Sequence, residues 1–224
     1  ATFNTNLSFT GKTIVSEGIL VVNGTMEGPV ELRARGTLSG QAVLNGEVGF
    51  EGALNYEGCR LMPVGTEGVM IFNKSLTLPG EVYIEVEADQ GKCGHLQVNG
   101  DLTLLGQNYI TVKHDENLSA GRYVIAECSG QLSADVTKIK TRGLDGINYD
   151  IETDGQQLLL VLKDSRDAAT DVTWTGSTSN VWDYKAENFR LDDNTAFVAG
   201  DAVLFDENGA NRNIVLNEQM VTNG

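Results

Sequence analysis

The feature that most constrains the fold is a short glycine unit that recurs at nearly constant spacing. It stands at Gly18-Ile-Leu20, Gly36-Thr-Leu38 and Gly52-Ala-Leu54, at offsets of 18 and 16 residues. A period of this length, with glycine at the corners, fits one coil of a β-solenoid, in which each coil buries its inward side chains against the coils beside it. An antiparallel β-sandwich also has short, regularly spaced strands, but it has no reason to repeat a tripeptide. We therefore favour a solenoid for residues 1 to about 90 and keep the sandwich as the alternative.

Apolar and polar residues alternate in short runs along most of the chain, as at Val82, Ile84 and Val86. This period of two is typical of strands with one buried face. Only residues 183–189 suggest a single helical turn. Asn-Gly pairs indicate tight turns between the runs, because both residue types tolerate positive φ. These pairs are Asn23-Gly24, Asn45-Gly46, Asn99-Gly100 and Asn208-Gly209.

A change of character along the chain predicts two units. After about Glu81 the alternating strands become longer, and residues 158–162 are apolar throughout, which predicts a strand buried on both faces. The polar residues 164–171 are the best linker candidate. We therefore predict a β-solenoid unit with C-terminal capping strands at 1–163, the linker at 164–171, and the truncated start of a second β-repeat unit at 172–224.

The order of the motifs carries a family resemblance. The first unit has Gly18-Ile-Leu-Val-Val-Asn-Gly24 and His95-Leu-Gln-Val-Asn-Gly100, and the second has Trp174-Thr-Gly176 followed by Gly200-Asp201-Ala-Val-Leu-Phe205. This series resembles the autotransporter-associated β-strand repeats. Those repeats occur in large surface or secreted proteins of Gram-negative bacteria, and in non-catalytic parts of some secreted polysaccharide-degrading proteins. The resemblance implies an all-β, right-handed parallel β-helix and a secreted or cell-surface location, and it implies no activity.

The charge balance limits the partners of the chain. With 16 Lys and Arg against 31 Asp and Glu, the net charge is −15. A field of this sign repels nucleic acid, anionic membrane surfaces and acidic polysaccharides. The longest apolar run, residues 158–162, is far shorter than the roughly 20 residues that cross a bilayer, so we expect no membrane insertion by this segment. Neutral glycans and cell-surface proteins remain as candidate partners.

The sequence offers no assembled catalytic group. His95 and His114 are the only histidines, and neither lies in an HExxH motif or beside a nucleophile elbow. Cys59, Cys93 and Cys128 form no CxxC pair, and a disulfide between two of them stays open at this point. We therefore expect no catalytic residue and no cofactor in this segment.

Two acidic turns contain many oxygen ligands, Asp192-Asp193-Asn194 and residues 206–211. Neither has the spacing of an EF-hand loop. Turn formation by Asp and Asn explains the same residues, so we predict no metal site.

The candidate ligand-binding residues are Trp174 and Trp182. Together with Tyr184 and Phe189 they can form a stacking platform for a sugar ring. The competing interpretation is that these aromatic residues form the small core of the second unit, because aromatic side chains dominate core energetics. The core interpretation is the favoured one of the two.

Two functional hypotheses follow. The leading one is a non-catalytic structural or adhesive β-solenoid module of a large secreted or surface bacterial protein. The alternative is an accessory carbohydrate-binding part of a secreted polysaccharide-degrading enzyme, a lyase or a glycoside hydrolase, whose catalytic domain lies outside this chain.

Overall fold

The structure, a computed structural model, describes residues 1–51, 58–114, 118–163 and 169–217. It is an all-β structure, and the described residues contain one short 3₁₀ helix, Val136–Lys138. Contacts between Cα atoms divide the chain into two compact units. The first comprises Ala1–Gly143 and Asp150–Val161, and the second comprises Leu144–Tyr149 and the described part of Leu162–Gly224.

The strands are short and are numbered in chain order. They are β1 (Thr2–Phe3), β2 (Thr13–Val15), β3 (Gly18–Val22), β4 (Thr25–Met26), β5 (Val30–Arg33), β6 (Gly36–Ser39), β7 (Val43–Leu44), β8 (Val48–Glu51), β9 (Arg60–Met62), β10 (Val69–Phe72), β11 (Leu76–Leu78), β12 (Tyr83–Asp89), β13 (Lys92–Cys93), β14 (His95–Val98), β15 (Leu102–Leu104), β16 (Asn108–His114), β17 (Gly121–Cys128), β18 (Leu132–Ala134), β19 (Ile139–Arg142), β20 (Tyr149–Asp154) and β21 (Gln157–Leu162). The remaining strands are β22 (Asp171–Trp174), β23 (Val181–Trp182), β24 (Phe189–Arg190), β25 (Asn194–Thr195), β26 (Ala202–Leu204) and β27 (Val215–Leu216).

In the first unit the chain visits several sheets in turn. An eight-stranded sheet has the order β1-β3-β6-β9-β12-β16-β19, with β13 beside β12, and a seven-stranded sheet has the order β20-β21-β17-β14-β10-β7-β4. Two three-stranded sheets have the orders β2-β5-β8 and β11-β15-β18. Consecutive strands such as β6, β7 and β8 therefore lie in three different sheets, and β9 returns to pair in parallel with β6. Parallel pairing across these sheets shows that the antiparallel sandwich alternative is wrong for this unit.

The register of the eight-stranded sheet aligns the repeated leucines. Leu20 lies opposite Leu38, Leu38 opposite Leu61, and Leu61 opposite Ile84. All four side chains are buried. The predicted pairing of Gly18-Ile-Leu20 with Gly36-Thr-Leu38 is thus confirmed, and Gly52-Ala-Leu54 lies outside the described residues. Each of these apolar side chains is removed from water by packing against its partners on the two adjacent strands.

The seven-stranded sheet carries a second row of buried side chains. Each member is the register partner of the next on the adjacent strand. In that order they are Met26, Leu44, Phe72, Val98 and Cys128. The predicted strand at residues 158–162 is present as part of β21, where four of the five side chains are buried and Val161 is partly exposed.

Asparagines that follow neighbouring strands link successive turns of the first unit. Two of them, Asn45 and Asn99, belong to Asn-Gly pairs, and Asn73 is followed by Lys74. Asn73 donates from Nδ2 to Oδ1 of Asn45, and Asn99 donates from Nδ2 to Oδ1 of Asn73, both at 2.6 Å. Asn45 in turn donates to the Glu27 carboxylate at 2.8 Å. Each side-chain amide can donate and accept at once, so these residues form a continuous ladder across the carboxyl ends of the neighbouring strands β7, β10 and β14.

The glycines of these pairs are needed for close approach and not for positive φ, which corrects the reason predicted from the sequence. None of Gly24, Gly46 and Gly100 has a positive φ. A Cβ on Gly46 would lie 2.4 Å from the carbonyl carbon of Gly28, and one on Gly100 would lie 2.8 Å from the backbone nitrogen of Ser75. No side chain fits at these distances, because they are shorter than van der Waals contact.

The second unit mixes parallel and antiparallel pairing. Its larger sheet has the order β25-β24-β22-β26, in which β22 pairs in parallel with β26 and antiparallel with β24. A separate pair joins β23 and β27 in parallel. The predicted linker falls on residues 164–168, which lie outside the described residues, and on 169–171, of which Asp171 already begins β22. The grouping of Leu144–Tyr149 with this unit was not predicted.

Residues 183–189 contain no helical turn, so that prediction is wrong. The carboxylate of Asp183 accepts hydrogen bonds from the backbone nitrogens of Lys185 at 2.9 Å and Ala186 at 2.7 Å. This side-chain turn takes the place of a helical hydrogen-bond pattern, as Asp favours.

Candidate ligand-binding cavity in the second unit

Trp174 lies at the end of β22 in the core of the second unit. Its side chain is 2% exposed, and its indole nitrogen donates to the carbonyl oxygen of Asn211 at 2.7 Å. The ring of Phe189 meets it edge to face, with centroids 5.1 Å apart. Trp174 therefore does not present an open ring face. Its position agrees with the favoured core interpretation and not with the candidate sugar-stacking role.

Trp182 lies on β23 and is partly buried. Its ring contacts Phe189 and Phe197 edge to face, with centroids 5.5 and 5.2 Å apart. Its indole nitrogen is buried without a hydrogen-bond partner among the described residues. Tyr184 and Phe189 are buried as well. The four aromatic residues singled out in the sequence thus pack mainly against one another and against the small core, which leaves little of their ring faces open to a sugar.

The buried side chain of Asn188 ties the loop at residues 178–181 to the start of β24. Its Oδ1 accepts hydrogen bonds from the backbone nitrogens of Thr178 and Ser179, at 3.0 and 2.8 Å. Its Nδ2 donates to the Ser179 hydroxyl and to the carbonyl of Val181, both at 2.8 Å. Asn188 is 0% exposed, and these four bonds satisfy the amide fully. Asn188, which directly precedes β24, is therefore a structural residue.

Gly176 completes the Trp-Thr-Gly motif by letting Asn211 approach. The side-chain amide of Asn211 donates to the Gly176 carbonyl at 2.6 Å. Gly176 has a φ of +57°, and a Cβ there would lie 2.9 Å from Cβ of Asn211. Both the left-handed backbone and the close contact favour glycine. The two bonds of Asn211, to Trp174 and to Gly176, fix the chain at the end of the turn that begins at residue 206.

Asp201, in the Gly-Asp motif before β26, ties two backbone segments together. Its carboxylate accepts from the backbone nitrogen of Thr170 at 2.9 Å and from that of Val198 at 2.8 Å. The motifs that carry the family resemblance in this unit thus act in folding and turn formation.

A cavity of about 400 Å³ opens beside this core. Its apolar wall consists of Phe205, Ile214 and part of Trp174, and its remaining lining comes from the turn at residues 206–212. The volume lies within the range of about 300–1,000 Å³ typical of small-molecule sites. Phe205 is 51% exposed, so its ring is the accessible aromatic surface. Phe205 was not among the ligand-binding residues predicted from the sequence, although it ends the Gly-Asp-Ala-Val-Leu-Phe motif.

Internal hydrogen bonds order the turn along the cavity. The Asp206 carboxylate accepts from the backbone nitrogen of Asn208 at 2.8 Å and from its side-chain amide at 3.1 Å. These bonds lower the pKa of Asp206 below its usual value because they favour the ionised form. Arg212 donates from Nη2 to the carbonyl of Glu207 at 2.6 Å. The turn thus places Glu207 and Arg212 at the rim.

The two acidic turns do not assemble a metal site in the part of the chain that the structure describes, where no three His, Cys, Asp or Glu side chains form a group that could hold a metal ion. Asp206 uses both carboxylate oxygens to hold Asn208. Turn formation therefore accounts for this cluster of oxygen atoms.

The histidines and cysteines make local contacts. The Nδ1 atom of His95 lies 3.3 Å from the carbonyl oxygen of Cys93, and Nε2 of His114 lies 2.8 Å from that of Gly143. Cys59, Cys93 and Cys128 are free thiols. Burial raises the pKa of Cys59 to about 11 and that of Cys93 to about 12, which keeps these thiols protonated at neutral pH.

Comparison with known proteins gives no match, either to a protein-family model or to a curated protein. The resemblance to autotransporter-associated repeats therefore rests on the motifs of this chain. Within the described ranges, no helix has the length and apolar character needed to cross a membrane.

Proposed function

We propose that the chain is a non-catalytic structural or adhesive module, a right-handed parallel β-helix, of a large secreted or cell-surface bacterial protein. The register of Leu20, Leu38 and Leu61 on neighbouring parallel strands carries this proposal. An array in which each layer contacts only its neighbours can be lengthened without a new core, and this property suits a stalk, spacer or display surface.

The ladder of Asn45, Asn73 and Asn99 supports the same function, since it links successive turns along their edge. The net charge of −15 favours solubility and discourages lateral association with similar chains. We propose cell-surface proteins and neutral glycans as partners of such a surface, and nucleic acid and membrane insertion as outside its function.

Antibody labelling tests the proposed location. Antibodies raised against the folded chain should label intact source cells or detect the chain in the culture medium. Labelling that requires permeabilised cells would overturn the surface or secreted location. A crystal structure tests the helix itself, because left-handed connections between parallel strands would overturn the right-handed β-helix.

The cavity beside Phe205 favours a second candidate function. An apolar pocket with a few polar groups at its rim is the usual form of a small-ligand site. It supports the alternative proposal that the chain is an accessory carbohydrate-binding part of a secreted polysaccharide-degrading lyase or glycoside hydrolase, whose catalytic domain lies outside the chain.

A further inference from the structure

We propose that the cavity lined by Phe205, Ile214, Glu207 and Arg212 binds a neutral saccharide. This inference rests on the carbohydrate-binding function proposed above, and it replaces the tryptophan platform with a different aromatic surface.

The apolar wall offers an exposed aromatic ring on which one face of a pyranose ring can stack. Phe205 is 51% exposed and lies 6.4 Å from Trp174 between ring centroids, with the rings tilted by 41°. A sugar ring has C–H groups on its faces and hydroxyl groups around its edge. Stacking such a face on Phe205 removes apolar surface of both partners from water, which is favourable in proportion to the area buried.

The rim offers a hydrogen-bond acceptor and a donor. Glu207 brings a carboxylate, which accepts hydrogen bonds from hydroxyl groups, and Arg212 brings a guanidinium, which donates to hydroxyl oxygens. The carbonyl of Glu207 occupies one of the five N–H donors of Arg212. Asp206, by contrast, is engaged with Asn208 and serves to shape the turn.

The site is ordered before any ligand binds. Trp174 and Gly176 both hold Asn211 by hydrogen bonds, and Gly209 fits closely, because a Cβ there would lie 3.3 Å from the Trp174 ring. A ligand that enters a preformed site loses less free energy to the ordering of loops.

The charge of the site selects neutral sugars over acidic ones. The lining contains two carboxylates, of Asp206 and Glu207, against one guanidinium, of Arg212. A uronic or sialic acid would add a further negative charge to a chain whose net charge is −15. Neutral hexoses, pentoses and N-acetylhexosamines avoid this repulsion.

A glycan array that holds neutral and uronic oligosaccharides, followed by calorimetric titration with the best neutral binder, tests the proposal on the full chain. Replacing the stacking ring in Phe205→Ala should weaken binding about tenfold or more, and Arg212→Ala should weaken it as well. Phe205→Tyr keeps an aromatic face and should retain binding. Leu191→Ala is the matched control, because Leu191 is also a large exposed residue of this unit, 48% exposed, and does not line the cavity.

The outcomes of these experiments distinguish a failure of the proposed site from a failure of the carbohydrate-binding function. Loss of neutral-glycan binding in Phe205→Ala, with binding kept in Leu191→Ala, supports the proposal. Equal binding by the parent, Phe205→Ala and Arg212→Ala would place the glycan site elsewhere, and would overturn this inference while the carbohydrate-binding function stands. Binding only to uronic glycans would overturn the choice of ligand. Absence of binding to every glycan at millimolar concentration would overturn both the site and the function. Circular dichroism of each variant verifies that the fold is intact.

Discussion

The ring of Tyr83 stacks on the ring of Tyr109, with centroids 4.5 Å apart and an angle of 8° between the ring planes. The two residues are partners in the parallel register of β12 and β16. The guanidinium of Arg142 lies 5.1 Å from each ring centroid, and that of Arg60 lies 5.3 Å from the centroid of Tyr83. Aromatic stacking and cation–π attraction thus link four strands of the same sheet, β9, β12, β16 and β19.

The stacked pair predicts a measurable coupling. In a double-mutant cycle of Tyr83→Leu and Tyr109→Leu, unfolding free energies from urea titration should give an interaction energy of about 1 kcal/mol. Tyr83→Leu combined with Ile19→Ala is the control, because Ile19 lies on β3, three positions away in the sheet order, and distant sites should be additive. Additivity of the tyrosine pair itself would contradict the stabilising role of the stack.

The aligned leucines predict that a charge destabilises the first unit far more at a buried position than at an exposed position of the neighbouring strand. Leu38→Asp should abolish the cooperative thermal transition of this unit, because Leu38 is 0% exposed and the carboxylate would be buried without a partner. Ile19→Asp is the matched control, since Ile19 lies on the paired strand β3 and is 50% exposed. Circular dichroism melting follows both variants. A melting curve of Leu38→Asp like that of the parent would refute the burial assigned to this row.

The Asn188 network predicts a large effect in the second unit. Asn188→Ala should lower the free energy of unfolding by roughly 2 kcal/mol, because it leaves the part-buried backbone nitrogens of Thr178 and Ser179 and the carbonyl of Val181 without this partner. Asn194→Ala, at an exposed position of the same unit, should change it by less than about 0.5 kcal/mol. Urea unfolding followed by tryptophan fluorescence reports on this unit, which contains Trp174 and Trp182. Equal effects of the two variants would contradict the network.

An ion-pair cluster in the first unit predicts an unusually acidic carboxyl group. Lys12 and Arg33 contact the Glu31 carboxylate at 2.7 and 2.8 Å, and their hydrogen bonds lower the pKa of Glu31 from 4.5 to about 2. Because the pKa is lower in the folded state, the stabilising contribution of these contacts is complete above pH 4.5 and is lost as the pH falls towards 2.

Carbon-detected NMR titration measures the pKa of Glu31 directly. Lys12→Met and Arg33→Met should each raise it towards its usual value, because each removes a hydrogen bond to the ionised form. Lys74→Met removes one positive charge at an exposed position elsewhere in the unit and should leave this pKa unchanged. A normal pKa in the parent chain would show that the cluster is not formed in solution.

Much of the first unit follows from the sequence. The spacing of Gly18-Ile-Leu20 and Gly36-Thr-Leu38 predicts which strands pair and which leucines align, because in a stacked repeat the sequence offset is also the register. The reason for the Asn-Gly pairs could not be predicted from the sequence. A turn with positive φ and a close approach between neighbouring turns both favour glycine, so the sequence alone does not distinguish them. Contacts such as that of Gly46 with Gly28, made at glycines whose φ is not positive, distinguish these causes.

Less of the candidate site could be predicted from the sequence. Trp174 and Phe205 both stand in recognisable motifs, yet one is 2% exposed and the other 51% exposed. Periodicity does not distinguish them, because β22 and β26 are adjacent parallel strands of one small sheet and the exposure of a ring depends on what packs beside it. The hydrogen bond from Trp174 to Asn211 joins residues far apart in the chain, and neither residue type signals the other.

The sequence by itself determined the all-β class, the spacing of the leucine repeats, the absence of a familiar catalytic motif and the acidic charge, because these depend on composition and on short-range periodicity. The tertiary structure decided which aromatic residue faces solvent, that Asn188 and Asp201 serve as internal hydrogen-bond centres, and that residues 206–212 form one side of a cavity. These features depend on distances between segments that the sequence separates, and such distances are fixed only when the whole chain has packed.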